Sequence, residues 1–160
     1  MLKIKAGIIG GAGYTGGETL RLLINHPGVT VTYVHSRSHA GKPVHTVHTD
    51  LIGETDLNFS DSISSDVDVL YLCMGHGESK KFLQENAINS SVKIIDLGND
   101  FRLGDSAAGR AFIYGLPELN RESIRFAQSI ANPGCFATAI QLGLLPLASK
   151  GLLKDVYTTG

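Results

Sequence analysis

Residues 4–20 read Ile4-Lys5-Ala6-Gly7-Ile8-Ile9-Gly10-Gly11-Ala12-Gly13-Tyr14-Thr15-Gly16-Gly17-Glu18-Thr19-Leu20. The compact apolar run Ile4 to Ile9 stops abruptly in glycines. Thr15 to Asn25 then carries Leu20, Leu23 and Ile24 at helical spacing, and His26-Pro27-Gly28 ends that helix. Val29 to Val34 is β-branched and predicts a second strand. Strand, glycine turn, amphipathic helix and strand within about 30 residues is the context that gives G-x-G-x-x-G a physical meaning. Gly11, Gly13 and Gly16 fill that pattern, and Gly10, Gly13 and Gly16 also fill G-x-x-G-x-x-G. The first glycines permit a tight turn, Gly13 lets the backbone approach a pyrophosphate, and Gly16 and Gly17 bring helix close to strand. The helix start, around Ala12, Tyr14 and Thr15, then offers unpaired N–H groups to an anion. A glycine-rich turn that holds no ligand is the competing reading.

Further along, short apolar runs keep alternating with helical periods. Asp68 to Cys73 predicts a buried strand, followed by a turn over Gly75–Gly77 and a helix from Glu78 to about Asn86. Val92 to Leu97 predicts another buried strand, and Ser129 to Ala131 a short one. Phe136 to Ser149 places Ala137, Ile140, Leu144 and Leu147 on one helix face, with Pro146 expected to kink or end it. Val156 to Thr159 predicts the start of a further strand. Continuous apolar strands between helices imply an α/β fold, a Rossmann-like doubly wound parallel sheet covered on both faces. Ligands of such sheets sit at the C-terminal ends of the strands, where every unusual motif here falls.

Composition narrows the function. The 160 residues include 14 Lys+Arg and 15 Asp+Glu, a formal net charge of −1 that removes the electrostatic case for nucleic acid or a membrane surface. Two cysteines, Cys73 and Cys135, make neither a disulfide framework nor a four-ligand zinc pattern. No apolar run has membrane-spanning length, and the N-terminus leads straight into a strand rather than a signal peptide. The expectation is a cytoplasmic protein. His35, His39, His45 and His48 crowd one region, which reads as a solvated loop between strands rather than a metal site.

The second strand is followed by His35-Ser36-Arg37-Ser38. An acidic residue there would bind the ribose hydroxyls of NAD; none is present, and the Arg37 fork with the Ser36 and Ser38 hydroxyls suits the 2′-phosphate of NADP. No tyrosine has a lysine four residues on, which excludes the catalytic pair of short-chain dehydrogenases. Asn132-Pro133-Gly134-Cys135 joins a strand to a helix and puts Cys135 at the helix N-terminus, where the dipole favours thiolate. The same N–H groups suit an oxyanion on an attacked carbonyl. A nucleophilic cysteine beside a nicotinamide predicts thioester chemistry coupled to hydride transfer. Cys73, inside an apolar run, reads as a packed strand residue, and Gly75 and His76 after it as lining the nicotinamide side of the cleft.

Five stretches carry a resemblance: Gly7 to Leu23, His76-Gly77, Asp96 to Leu103, Tyr114 to Leu119 and Ala131 to Thr138. Over most of its length the chain resembles the N-terminal part of the N-acetyl-gamma-glutamyl-phosphate reductase family of arginine biosynthesis. The resemblance implies that Cys135 attacks an acyl phosphate and that NADPH reduces the resulting thioester to a semialdehyde. It implies loops around the active site at Asp96 to Arg102 and Tyr114 to Glu118. Arg102 is then either an anion ligand for substrate or part of a structural salt bridge. Asn132 is expected to help position the cysteine loop beside substrate, and Glu118 to act as a local base or a loop anchor. Family members are about twice as long and carry a second α+β domain with a general acid/base histidine. On that basis residues 1–150 form the NADP-binding domain, ending in the cysteine helix, and 151–160 the start of a truncated second domain. The chain is expected to bind cofactor without turnover, and the full-length protein to be a homo-oligomer. Two alternatives stay open: the same chemistry on an N-succinyl or other N-acyl substrate, and a non-catalytic dinucleotide-binding regulator.

Overall fold

β1 (Ile4–Ile9) lies inside a seven-stranded sheet, with β2 (Val29–His35) on one side and β4 (Val69–Leu72) on the other. The sheet is completed by β3 (Phe59–Ser60), β5 (Lys93–Asp96), β8 (Ile113–Tyr114) and β9 (Ser129–Ala131), in the order β3-β2-β1-β4-β5-β9-β8. Every pairing in it is parallel. These relations come from a computed structural model that describes residues 2–159. β6 (Ser106–Ala107) and β7 (Arg110–Ala111) form a separate antiparallel hairpin. The helices are α1 (Tyr14–Ile24), α2 (Glu78–Glu85), α3 (Pro117–Phe126) and α4 (Cys135–Ala148).

The period of two along each strand divides the core into two layers. Ala6 and Ile8 of β1 pack with Leu20 and Leu23 of α1 and Val34 of β2. Ile9 joins Leu70 and Leu72 of β4, Phe82 and Leu83 of α2, and Ile94 of β5 on the opposite face. Burying one such aliphatic side chain fully stabilises the fold by about 1.5–3 kcal/mol. The chain goes from β1 to β2 on one side and later returns to β4 on the other. That reversal beside β1 opens a crevice at the C-terminal edge of the sheet.

Most predicted elements lie within one or two residues of their observed bounds, as expected where helix ends fray. Pro146 does not end α4, which runs on to Ala148 without the one bond its missing N–H would have donated to Leu142. Val156 to Thr159 forms no strand, because no sheet edge among the described residues pairs with it. Tyr114 to Glu118 is not one loop: Tyr114 closes β8, and Pro117 occupies the first helical position of α3. The four clustered histidines are not uniformly solvated. His35 and His48 are buried, and His39 lies 5.6 Å from the Phe59 ring, centroid to centroid.

Candidate active site

The turn from β1 into α1 is shaped by contacts that exclude side chains. Gly10 has φ +78°, and a Cβ there would collide with the Cys73 carbonyl. A Cβ at Gly16 would stand 2.5 Å from the Gly10 oxygen and 2.7 Å from the Gly11 Cα. Gly13 differs: its would-be Cβ meets only the Gly10 oxygen, at 3.4 Å, and otherwise faces open space. Gly17 N–H donates to the Gly13 carbonyl at 2.9 Å, which leaves the amides of Tyr14, Thr15 and Gly16 as the unpaired first turn of α1. Ala12 N–H meets no protein acceptor among the described residues. An open face at Gly13 ringed by unpaired donors fits the pyrophosphate of a dinucleotide.

A cleft of about 400 Å³ runs from this turn past Ile9 and Gly10 to Ser36, Arg37 and Ser38 beyond β2. Glu78, Lys81 and Glu85 of α2 face it from the far side. Ser38 Oγ and His39 Nδ1 are 2.9 Å apart, and Ser36 Oγ lies 3.4 Å from each. Arg37 is exposed and makes no salt bridge among the described residues, so its guanidinium is available to an anion. His35, behind it, has its pKa lowered by burial and by the Arg37 charge.

Gly75 and His76 lie exposed in the turn from β4 to α2. That turn is fastened from β5. The Asp100 carboxylate accepts from Gly77 N–H at 2.6 Å and Lys80 N–H at 2.9 Å, capping α2. Ser79 donates to Asp96 Oδ1 at 2.5 Å inside the protein, while Asp96 Oδ2 has no partner. Burial raises the Asp96 carboxyl above its ordinary value, against the Ser79 hydrogen bond and the nearby Gly98 backbone. Phe101 stacks on Phe112 at 3.8 Å between centroids, anchoring the same loop in the core. Asp96 was legible as part of the predicted buried strand Val92 to Leu97 and of the loop Asp96 to Arg102, and Asp100 only as part of that loop; the roles of a half-satisfied buried carboxylate and a cap supplied from elsewhere leave no local signal.

Cys135 is the first residue of α4 and its side chain is exposed. Thr138 closes the first turn, donating from N–H at 2.9 Å and from Oγ1 at 2.8 Å to the Gly134 carbonyl. Arg102 Nε donates to the Asn132 carbonyl at 2.9 Å and Nη2 to the Leu97 carbonyl at 3.1 Å. Its Nη1 would stand 2.9 Å from a Cβ on Gly134. Arg102 therefore ties the Asp96 to Arg102 loop to the cysteine loop through carbonyls, with no salt bridge among the described residues. Asn132 N–H donates to the Asp96 carbonyl at 2.8 Å, and its Nδ2 to Pro133 at 3.1 Å. Glu118 lies exposed in the first turn of α3. Cys73 is buried beside Thr19 Oγ1, 3.5 Å away, and burial pushes its thiol up to about 11.

Fold and site define a dinucleotide-binding α/β domain that runs into a helix headed by an exposed cysteine. Residues 5–127 match the family model for the semialdehyde dehydrogenase NAD-binding domain, and the chain belongs to that family. An N-acetyl-gamma-glutamyl-phosphate reductase of Azobacteroides pseudotrichonymphae is 60% identical over 153 residues, covering 95% of this chain and 48% of its own length. The reductase of the same name from Flavobacterium johnsoniae is 54% identical over 163 residues, covering 98% of this chain and 50% of its own. The chain thus spans about half the length of the curated relatives it matches. The fold recurs in aspartate semialdehyde dehydrogenase II of Vibrio cholerae, with TM-score 0.69 and 22% identity over 92% of this chain and 47% of that one. It recurs also in the Candida albicans aspartate semialdehyde dehydrogenase solved with NADP, with TM-score 0.65 and 16% identity over 96% and 49% of the two chains.

Proposed function

We propose that these residues form the NADP-binding, cysteine-bearing half of an acyl-phosphate reductase. Its substrate is N-acetyl-gamma-glutamyl phosphate and its product N-acetylglutamate semialdehyde, a step of arginine biosynthesis. One observation carries the reading: the exposed Cys135 heads α4 on the same sheet edge as the glycine turn. β9 is three strands from β1, which sets the two motifs about 14 Å apart across the sheet. The choice of substrate rests on the name shared by the 60% and 54% identical relatives.

The glycine turn from Gly10 to Gly16 would hold the pyrophosphate, and Ser36, Arg37 and Ser38 the 2′-phosphate. Gly75 and His76 would border the nicotinamide side. The bound dinucleotide supplies a hydride. Cys135, as thiolate, attacks the acyl carbon; the acyl–phosphate bond breaks and phosphate leaves, with a thioester on sulfur. The unpaired N–H groups of the first turn of α4 face the negative charge on the carbonyl oxygen. Arg102 and Asn132 hold the cysteine loop in place beside substrate. After reduction, the carbon–sulfur bond breaks, the semialdehyde leaves and the thiolate is restored. The general acid/base histidine and most of the acyl pocket are assigned, in this proposal, to the half of the relatives' length that this chain does not span. Residues 1–150 then act as a cofactor domain that binds NADPH without turnover.

The test is a calorimetric titration of this chain with NADPH and with NADH, repeated on Arg37→Ala. One charge-assisted contact is worth about 1.5–3 kcal/mol, so the variant should bind NADPH about 10- to 100-fold more weakly and NADH unchanged. Equal binding of both cofactors would return Arg37 to the surface. Binding of neither would overturn the cofactor assignment for this chain.

A further inference from the structure

His48 lies between two short 3-10 turns, Val44–Thr46 and Thr49–Leu51, on the excursion from β2 to β3, and is only 7% exposed. Its Nε2 is 2.8 Å from the Gly11 carbonyl oxygen. A carbonyl only accepts, so Nε2 carries the proton and donates. The imidazole occupies room that Gly17 leaves: a Cβ there would stand 2.5 Å from His48 Cε1 and 2.7 Å from Nδ1. Phe59 flanks the ring, 6.2 Å between centroids. Two residues on, Asp50 accepts from Arg21 of α1, with Nη2 at 2.7 Å from Oδ1. The excursion is thus clamped to α1 and to the glycine turn together.

Both backbone groups of Gly11 are engaged: its N–H donates to the His35 carbonyl at 2.9 Å, and its carbonyl accepts from His48. In a planar trans peptide the next N–H points opposite to the carbonyl. With the Gly11 carbonyl turned onto His48, Ala12 N–H faces away from that ring, and it is the amide that no protein acceptor meets among the described residues. We propose that His48 is a positioning residue for the dinucleotide. Its hydrogen bond fixes the Gly11–Ala12 peptide so that Ala12 N–H is aimed at a pyrophosphate oxygen. The proposal rests on the reading of the glycine turn as a dinucleotide site.

The experiment compares this chain with His48→Leu, His48→Asn and His48→Gln. NADPH is titrated by calorimetry. Adenosine 2′-monophosphate, which lacks the pyrophosphate, is titrated by amide NMR, and circular dichroism confirms the fold of each variant. Losing one hydrogen bond should weaken NADPH about tenfold in the Leu and Asn variants. Adenosine 2′-monophosphate should stay within about twofold in both, since its contacts avoid the pyrophosphate turn. Gln, whose Nε2 donates at a similar reach, should restore NADPH to within about threefold. Should the Leu variant fail to fold, Asn carries the comparison, because its amide is too short to reach Gly11. Equal NADPH affinity in all forms, or a parallel loss of both ligands, overturns the proposal. If the unmutated chain binds neither ligand, the underlying dinucleotide reading fails with it.

Discussion

The Cys73 thiol sits at the end of β4 against Thr19, while the Cys135 thiol stands in solvent at the head of α4. Burial holds Cys73 up at about 11 and leaves the residue 7% exposed, so at neutral pH it has almost no thiolate and offers little surface to a reagent. Iodoacetamide on the folded chain should modify Cys135 and spare Cys73, read by mass spectrometry of the two tryptic peptides. Comparable rates at both sites would show that Cys73 is not packed as described. Asp96 allows a second test at this scale. Its folded pKa is raised by burial, so the folded state holds the proton more tightly than the unfolded chain. Its contribution to stability is therefore largest below the unfolded value and declines as pH rises towards the raised one. Urea midpoints of the unmutated chain and of Asp96→Asn, compared at about pH 7 and about pH 4.5, should shift in favour of the unmutated chain on acidification. A shift of the opposite sign contradicts the buried, half-satisfied carboxylate.

Among the elements, α2 depends on a cap it does not carry. Gly77 precedes it in the left-handed region with φ +81°, and no side chain of its own cap residue bonds to the helix. Asp100, from the loop after β5, accepts from both Gly77 and Lys80 N–H groups. Asp100→Ala should cost about 1 kcal/mol in urea unfolding, with Asp100→Asn milder because it keeps an acceptor. No loss in the Ala variant would mean that water serves those amides equally well. The cap also sets the position of Gly75 and His76, so the helix and the candidate nicotinamide border are held by the same carboxylate. The glycine pattern and the helix behind it were legible because their signals are local. The α2 cap was not, because its acceptor lies 23 residues away from Gly77.

Across the molecule, protection is uneven. α1 buries Gly16, Gly17, Thr19, Leu20 and Leu23, whereas no residue of α4 is buried. Of the apolar face expected on α4, Ile140 and Leu144 are half-buried, while Leu147 is 44% exposed and Phe136 beside it 55%, so the face is only partly covered among the described residues. Local opening costs little where few apolar contacts are lost. Amide exchange followed by mass spectrometry should be faster in α4 than in α1 by about tenfold or more. Equal protection would place α4 in a packed environment that these contacts do not supply.

The alternation of apolar strands with amphipathic helices, the glycine turn and the helix-starting cysteine follow from residues close in sequence, where sterics and period act directly. Their direction is local too, since a strand that feeds a helix must end where the helix begins. The strand order β4-β5-β9-β8, the bond from His48 to Gly11 across 37 residues and that from Arg102 to Asn132 across 30 have no such basis. They depend on which sheet edge accepts which strand and on which buried donor finds an acceptor. Those choices are made by packing and hydrogen-bond satisfaction over the whole fold, and they set how far apart the glycine turn and the cysteine stand along one edge.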